Sequence, residues 1–287
     1  MSPLVTAFFD EPTFTYSYIV QDPNSKNCAI IDSVLNFDYP SGRTRTESAD
    51  KILQFVNNNS LNVEWVLETH VHADHLSAAP YLKEKTGAKL GIGANITVIQ
   101  DTFGTAFNAD TTFVRDGSQF DVLFNEGDTI QIGTLTGVAM HTPGHTPACI
   151  TYVFEDAVFV GDTLFMPDFG TARCDFPGGD PRTLYQSIKR IFALAPETRL
   201  FMCHDYKALG RDVFANETSV QEERAENIHV RDGISEDEFV KMRTERDATL
   251  SMPQLILPSV QVNMRAGKMP PAEENDQVYL KVPINLF

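Results

Sequence analysis

His70, His72, Asp74 and His75 put four metal-binding side chains into six consecutive positions of the run Thr69-His70-Val71-His72-Ala73-Asp74-His75. Imidazole nitrogens and carboxylate oxygens are the donors that borderline and hard divalent metals take, and so dense a run is satisfied without metal only by an improbable set of hydrogen bonds. The preceding stretch, Val63 to Glu68, is mostly apolar and reads as a short buried strand, so His70 falls where the backbone leaves a sheet. Strand ends are where α/β architectures place their chemistry. The chain must therefore fold so that several strand ends meet.

With 287 residues, 42% of them hydrophobic, there is enough apolar material for one large domain or two modest ones. The 23 Lys and Arg against 39 Asp and Glu give a formal charge of −16. That field repels nucleic acid and anionic membranes, and an anionic substrate has to be met by local cations. No apolar run approaches the roughly 18 residues of a membrane span, and Met1-Ser2-Pro3-Leu4 lacks the basic start and apolar core of a signal peptide; the expectation is a cytoplasmic protein. Cys28, Cys149, Cys174 and Cys203 show no CxxC spacing, which predicts free thiols in a reducing compartment and no thiolate metal site.

Along the chain, Leu4 to Phe9 and Phe14 to Val20 read as strands, and Asp22-Pro23-Asn24-Ser25 is a turn leading to a strand that ends on Asp32. Glu47 to Asn58 carries a helical apolar stripe, and 77 to 86 forms a helix closed by Gly87. A helix is expected over Ile96 to Phe107, a hairpin across Gly133-Thr134, and a turn at His141-Thr142-Pro143-Gly144-His145. A second hairpin delivers Asp162, Asp180-Pro181 starts a helix, and the strand Arg199 to Cys203 ends on His204. The two halves repeat one order, hairpin to Asp, helix, strand to His, over 38 residues from Asp32 to His70 and 42 from Asp162 to His204. Such a repeat predicts an α/β fold, a four-layer αββα sandwich of two stacked sheets with helices outside. Residues 1–210 form this domain. The remainder, 211–287, is expected to be a helical extension packed on it, with helices near Glu217 to Ile228 and Ser235 to Leu250, and Met252 to Pro271 an irregular tail bearing four prolines.

The candidate metal ligands are then His70, His72, Asp74, His75, His145, Asp162 and His204. The H-x-H-x-D-H run, the later T-P-G-H and G-D-T-L, and Phe201-Met202-Cys203-His204-Asp205-Tyr206 resemble the five-motif signature of the metallo-β-lactamase superfamily, over roughly residues 5 to 210. That resemblance implies the αββα sandwich with a metal site at one edge of the sheets. Glyoxalase II enzymes follow the histidine run with a glycine pair; here Leu76-Ser77 follows. The loop after Asp162 is similar to the G-R-x-D-F-x-x-G loop of the persulfide dioxygenases, matched by Arg173, Asp175, Phe176 and Gly179. Cys174 and the long C-terminal extension depart from it and resemble a bacterial type.

The resemblance implies one Fe(II) per chain on His70, His145 and Asp162, with glutathione persulfide and O₂ as substrates. Two His and one carboxylate leave open positions, as in other non-haem iron oxygenases. His72, Asp74, His75 and His204 would orient those ligands or be the remnant of a second metal position. Arg173 is the first choice for a glutathione carboxylate, because a guanidinium fork binds carboxylate in two places. Tyr206, Asn263 and Arg265 are further substrate-binding candidates. The runner-up is a binuclear metal hydrolase of glutathione thiolesters, since ligands for two metals are present. A metal-stabilised binding domain comes third, because structural sites are closed and this one has ligands to spare. The sequence does not decide whether the chain is a homodimer.

Overall fold

Asp22 anchors the first hairpin: its carboxylate accepts the Asn24 N–H at 2.9 Å and the Ser25 hydroxyl at 2.7 Å, an Asx-type turn that reverses the chain. Around it Leu4–Asp10 (β1), Thr15–Gln21 (β2) and Asn27–Ile31 (β3) run antiparallel. Val34–Asp38 (β4) and Arg43–Arg45 (β5) precede the helix Glu47–Asn58 (α1). Then come Asn62–Leu67 (β6), Leu76–Ser77 (β7), Ala79–Thr86 (α2), Lys89–Gly93 (β8), Ile96–Ala106 (α3) and Val122–Phe124 (β9). The first sheet is ordered β1-β2-β3-β6-β8-β9, and β3, β6, β8 and β9 are parallel. Parallel neighbours need long crossovers, and α1, α2 and α3 supply them. The computed structural model describes residues 2–286.

The second sheet takes Thr129–Ile132 (β10), Leu135–His141 (β11), Ile150–Phe154 (β12), Ala157–Phe159 (β13), Arg199–Phe201 (β14) and Glu217–Ser219 (β15) in that order. Only the β13 to β14 step is parallel, and Pro181–Phe192 (α4) makes that crossover. The helix starts where Asp180 accepts the Thr183 N–H at 2.7 Å, with Pro181 in a first-turn position that needs no N–H. Val220–Glu226 (α5), Glu236–Asp247 (α6) and Ile256–Asn263 (α7) complete the chain.

Tyr18, Ile31 and Leu67 from one sheet pack against Tyr152, Phe154, Phe159 and Phe201 from the other. Outside the first sheet, Ile52, Leu82, Ile99 and Val260 bring α1, α2, α3 and α7 onto its far face. Leu184, Ile188 and Phe239 seal the second sheet beneath α4 and α6. Each such side chain contributes roughly 1.5–3 kcal/mol by leaving water. The expected αββα sandwich is the fold. Among the described residues no helix is long and apolar enough to cross a membrane.

Two expectations for the C-terminal part fail. Glu217 to Ser219 is not the start of a helix but pairs with β14, Thr218 opposite Leu200, so the second sheet runs past residue 210. The stretch Met252 to Pro271 is not an irregular surface tail, because α7 within it is a buried helix. Pro258 stands third in that helix, where the backbone N–H has no intrahelical acceptor to lose.

Candidate metal centre

Asp32 follows β3 in a left-handed conformation, φ 52°, which turns its carboxylate toward the chain leaving β6. One oxygen accepts the Thr69 N–H at 2.8 Å and the other the Thr69 hydroxyl at 2.8 Å. That hydroxyl has given away its only hydrogen, so at 3.0 Å it accepts from His70 Nδ1. His70 Nε2 is left with a lone pair, buried and without a partner. Burial, and then the neighbouring His72 and His145, hold the His70 pKa well below the usual imidazole range, so the ring is neutral.

His145 reaches the same point from the turn after β11. Gly144 there has φ 139°, and a Cβ on it would stand 2.3 Å from Leu184 Cα in α4; only glycine allows the approach. His145 Nδ1 donates to the Arg173 carbonyl at 2.8 Å, which again leaves Nε2 as the free donor atom. Asp162 follows β13, and its Oδ2 lies 3.8 Å from His70 Nε2 and 3.7 Å from His145 Nε2. The neutral His70 imidazole, the His145 ring and a carboxylate thus converge, their donor atoms all within 4.8 Å of one another. A buried ring nitrogen with no partner is costly, and a divalent cation among these three donors removes that cost. The set fits a first-row divalent metal.

Asp162 faces a second group with its other oxygen, Oδ1, 3.4 Å from His204 Nε2. His204 Nε2 is 2.9 Å from Asp74 Oδ2, and Asp74 Oδ1 is 3.4 Å from His75 Nδ1. None of His75 Nε2, His204 Nε2, Asp74 Oδ2 and Asp162 Oδ1 has a well-formed hydrogen bond. Burial opposes charge on His204, but Asp74 and Asp162 outweigh it and carry its pKa up to about 9. His75 goes the other way, lowered by burial and by His72.

His72 lies beside the first group, belongs to the second and takes part in a third. Its ring centroid is 4.1 Å from those of His70 and His75, while its Nε2 stands 3.1 Å from Asp32 Oδ1 and 3.1 Å from Glu68 Oε2. Glu68 also accepts the Ser77 hydroxyl at 2.6 Å. Burial works against a charged His72, yet these two carboxylates raise its pKa well above the usual range. Sequence reasoning marked Asp32 only as a strand end and read Glu68 only as part of a strand. The available signal was the four-residue step from Glu68 to His72.

The expected substrate residues fare differently. Arg173 does not hold a free fork: Nε and Nη2 donate to the two oxygens of Asp175, each at 2.6 Å, and Nη1 to the Ser251 carbonyl at 2.7 Å. Asn263 is buried, with its amide on the His72 and His75 carbonyls, and contacts the ligand loop instead of solvent. Arg265 is likewise buried; it pairs with Asp110 at 2.7 Å and lies 4.1 Å over the Phe113 ring. Tyr206 alone is exposed, its ring 5.8 Å from His204 and 5.1 Å from Phe169. All four cysteines are free and buried. Burial pushes the Cys28 and Cys149 thiols up to about 12, and Cys174 and Cys203 upward as well.

Residues 10–204 match the family model described as the metallo-beta-lactamase superfamily. A "Probable metallo-hydrolase" of Burkholderia pseudomallei is 57% identical, over 98% of this chain and 99% of that protein. The mitochondrial persulfide dioxygenase ETHE1 of Bos taurus is 30% identical, over 93% of this chain and 90% of its own length. Among solved structures, ETHE1 from Myxococcus xanthus superposes with a TM-score of 0.73 at 32% identity, over 92% of this chain and 99% of that one. With two stacked sheets whose strand ends gather the histidine run, His145, Asp162 and His204, and with the family model spanning that whole set, this chain belongs to the metallo-beta-lactamase superfamily.

Proposed function

We propose that this protein is an iron-dependent persulfide dioxygenase, converting glutathione persulfide, O₂ and water into glutathione and sulfite. The observation that carries the reading is the near-equal approach of His70 Nε2 and His145 Nε2 to one oxygen of Asp162, 3.8 and 3.7 Å, with the second nitrogen of each ring already engaged. His70, His145 and Asp162 would hold an Fe(II), which would supply the redox chemistry that joins persulfide sulfur to O₂. The likeness to the bovine persulfide dioxygenase over nine-tenths of its length supports it.

The chain's own residues do the rest. Thr69 and the Arg173 carbonyl fix which nitrogen of His70 and His145 faces inward. Phe14, Phe165, Phe169 and Tyr206 form an aromatic rim beside His204, and this rim limits water at the mouth of the site. Tyr206, exposed like Phe14 and with its ring 5.8 Å from that of His204, is the residue proposed to meet the substrate. Arg173, Asn263 and Arg265 are instead assigned to holding loops.

A second reading rests on the other oxygen of Asp162. Asp74, His75 and His204 form a donor group with it that would hold a second metal, and such a metal would supply activation of water toward a thiolester; the name of the Burkholderia relative agrees. Oxygen-electrode measurement on Fe(II)-loaded protein with glutathione persulfide, beside S-lactoylglutathione hydrolysis on the same preparation, separates the two. Oxygen uptake matched by sulfite release supports the dioxygenase. Rapid hydrolysis without oxygen uptake, at two metals per chain, overturns it.

A further inference from the structure

The family match ends at residue 204, and α5 and α6 lie beyond it. Buried polar side chains from α6 and from the segment joining it to α5 converge on one short irregular segment, Gly170 to Cys174. Asn227 Nδ2 donates to the Gly170 carbonyl at 3.1 Å. His229 Nδ1 accepts the Thr171 N–H at 3.0 Å, and Arg243 Nη1 donates to the Thr171 carbonyl at 3.0 Å. Asp247 Oδ2 accepts the Cys174 N–H at 2.8 Å, while its Oδ1 is held by Arg243, 2.9 Å from Nε and 2.6 Å from Nη2. Gly170 also has φ 98°, and a Cβ there would stand 2.1 Å from His229 Nδ1.

Between the two gripped residues, Thr171 and Cys174, sits Arg173, whose carbonyl takes the His145 Nδ1–H at 2.8 Å. A loop carbonyl is a soft support for an imidazole unless its neighbours are fixed, and here both flanks are fixed from α6. We propose that Asp247, locked by Arg243, is a positioning residue for His145: by holding Cys174 N–H while its partner Arg243 holds Thr171 O, it sets the Arg173 carbonyl, and through it the ring orientation and free nitrogen of His145. This rests on the reading that His145 is a metal ligand. It gives the C-terminal helices a part in the centre although no atom of theirs is a candidate ligand.

The test uses the full-length protein and Co(II) alone as probe. In wild type, Co(II) affinity is measured by competition with a chelator, and the exchangeable ring N–H resonances of the Co(II) protein are recorded in H₂O and D₂O. A His145→Ala variant that keeps full Co(II) affinity and every resonance overturns the ligand reading itself. Asp247→Asn is expected to weaken Co(II) by roughly tenfold to a hundredfold, the range by which groups behind a ligand move metal affinity, and to broaden or lose the slowly exchanging His145 Nδ1–H resonance. Asp247→Glu, which unlike Asn keeps two carboxylate oxygens, one for Cys174 N–H and one for Arg243, is expected to restore part of both. A purely structural Asp247 would lower thermal stability but leave affinity and resonance unchanged in the folded protein, and that result overturns the proposal. If Asp247→Asn does not fold, Arg243→Lys, which loosens both Asp247 Oδ1 and the Thr171 carbonyl, is put through the same two measurements. An unchanged affinity and spectrum there overturn the proposal equally.

Discussion

Glu68 and His72, one helical turn apart in number but on a bent, non-helical segment, meet at 3.1 Å between Oε2 and Nε2, both side chains buried. Removing the acid by Glu68→Ala leaves the Ser77 hydroxyl without its acceptor and deprives the His72 ring of one of its two. Each buried polar group left unmet costs about 1–3 kcal/mol. Urea unfolding is expected to show a loss of that size or more, with Glu68→Gln milder because it still accepts one of the two bonds.

Asn263 makes a comparable link over a much longer sequence distance. Its amide nitrogen is 2.9 Å from the His72 carbonyl and 2.8 Å from that of His75, and its oxygen accepts the Ser77 N–H at 2.8 Å. Asn263→Asp places a carboxylate oxygen against those two carbonyls. The expected outcome is a stability loss of about 2–4 kcal/mol, from two abandoned buried carbonyls, together with reduced metal content. Thermal unfolding and metal analysis of purified protein check both.

Single replacements of His70, His145 or Asp162 by Ala are expected to remove bound iron almost completely, whereas His75→Ala retains most of it. Metal analysis of protein expressed without added zinc decides. His75→Ala protein as iron-free as His70→Ala would require a second metal position.

His229 gives a pH dependence. Burial, then Arg243 and Arg246, lower its pKa from 6.5 to about 4, and its Nδ1 must stay unprotonated to accept from Thr171. The folded pKa lies below the unfolded one, so the folded state binds the proton less well. The stability tied to a neutral His229 is complete above about pH 6.5 and is lost as the pH falls toward 4, with a ceiling of about 3 kcal/mol. Denaturant midpoints at pH 7.5 and 5 should fall further for wild type than for His229→Gln; equal falls refute the assignment.

Arg173→Lys keeps a charge but cannot span both oxygens of Asp175 and the Ser251 carbonyl. A drop of about 1–2 kcal/mol in stability is expected from weakened charge-assisted bonds. A raised KM for glutathione persulfide at unchanged stability would return Arg173 to substrate capture.

Where one short window held the whole signal, the chain was legible in advance. Glu47 to Asn58 carries its own apolar stripe and forms α1 over those very residues, and Asp180-Pro181 starts α4 as written. The candidate ligands stood out because donors cluster at strand ends. α7 was hidden because it is buried on nearly every side, with Ser259, Gln261 and Asn263 buried among its apolar residues, so no apolar stripe distinguishes it, and its proline suggested a break. β15 has three residues, too few for an alternating pattern, and exists because β14 offers it an edge. Arg173 looked free because Ser251, 78 positions later, is invisible from its neighbourhood. The same distance effect concealed what Asn263 grips.

The four sheltered thiols have a meaning for a protein that would handle sulfane sulfur. Exchange with a persulfide requires an accessible thiolate, and here every cysteine is enclosed and held in its protonated form. The catalyst would therefore be inert toward its own substrate: sulfur delivered to the metal could not be diverted onto the polypeptide, and turnover would leave the enzyme's cysteines unmodified.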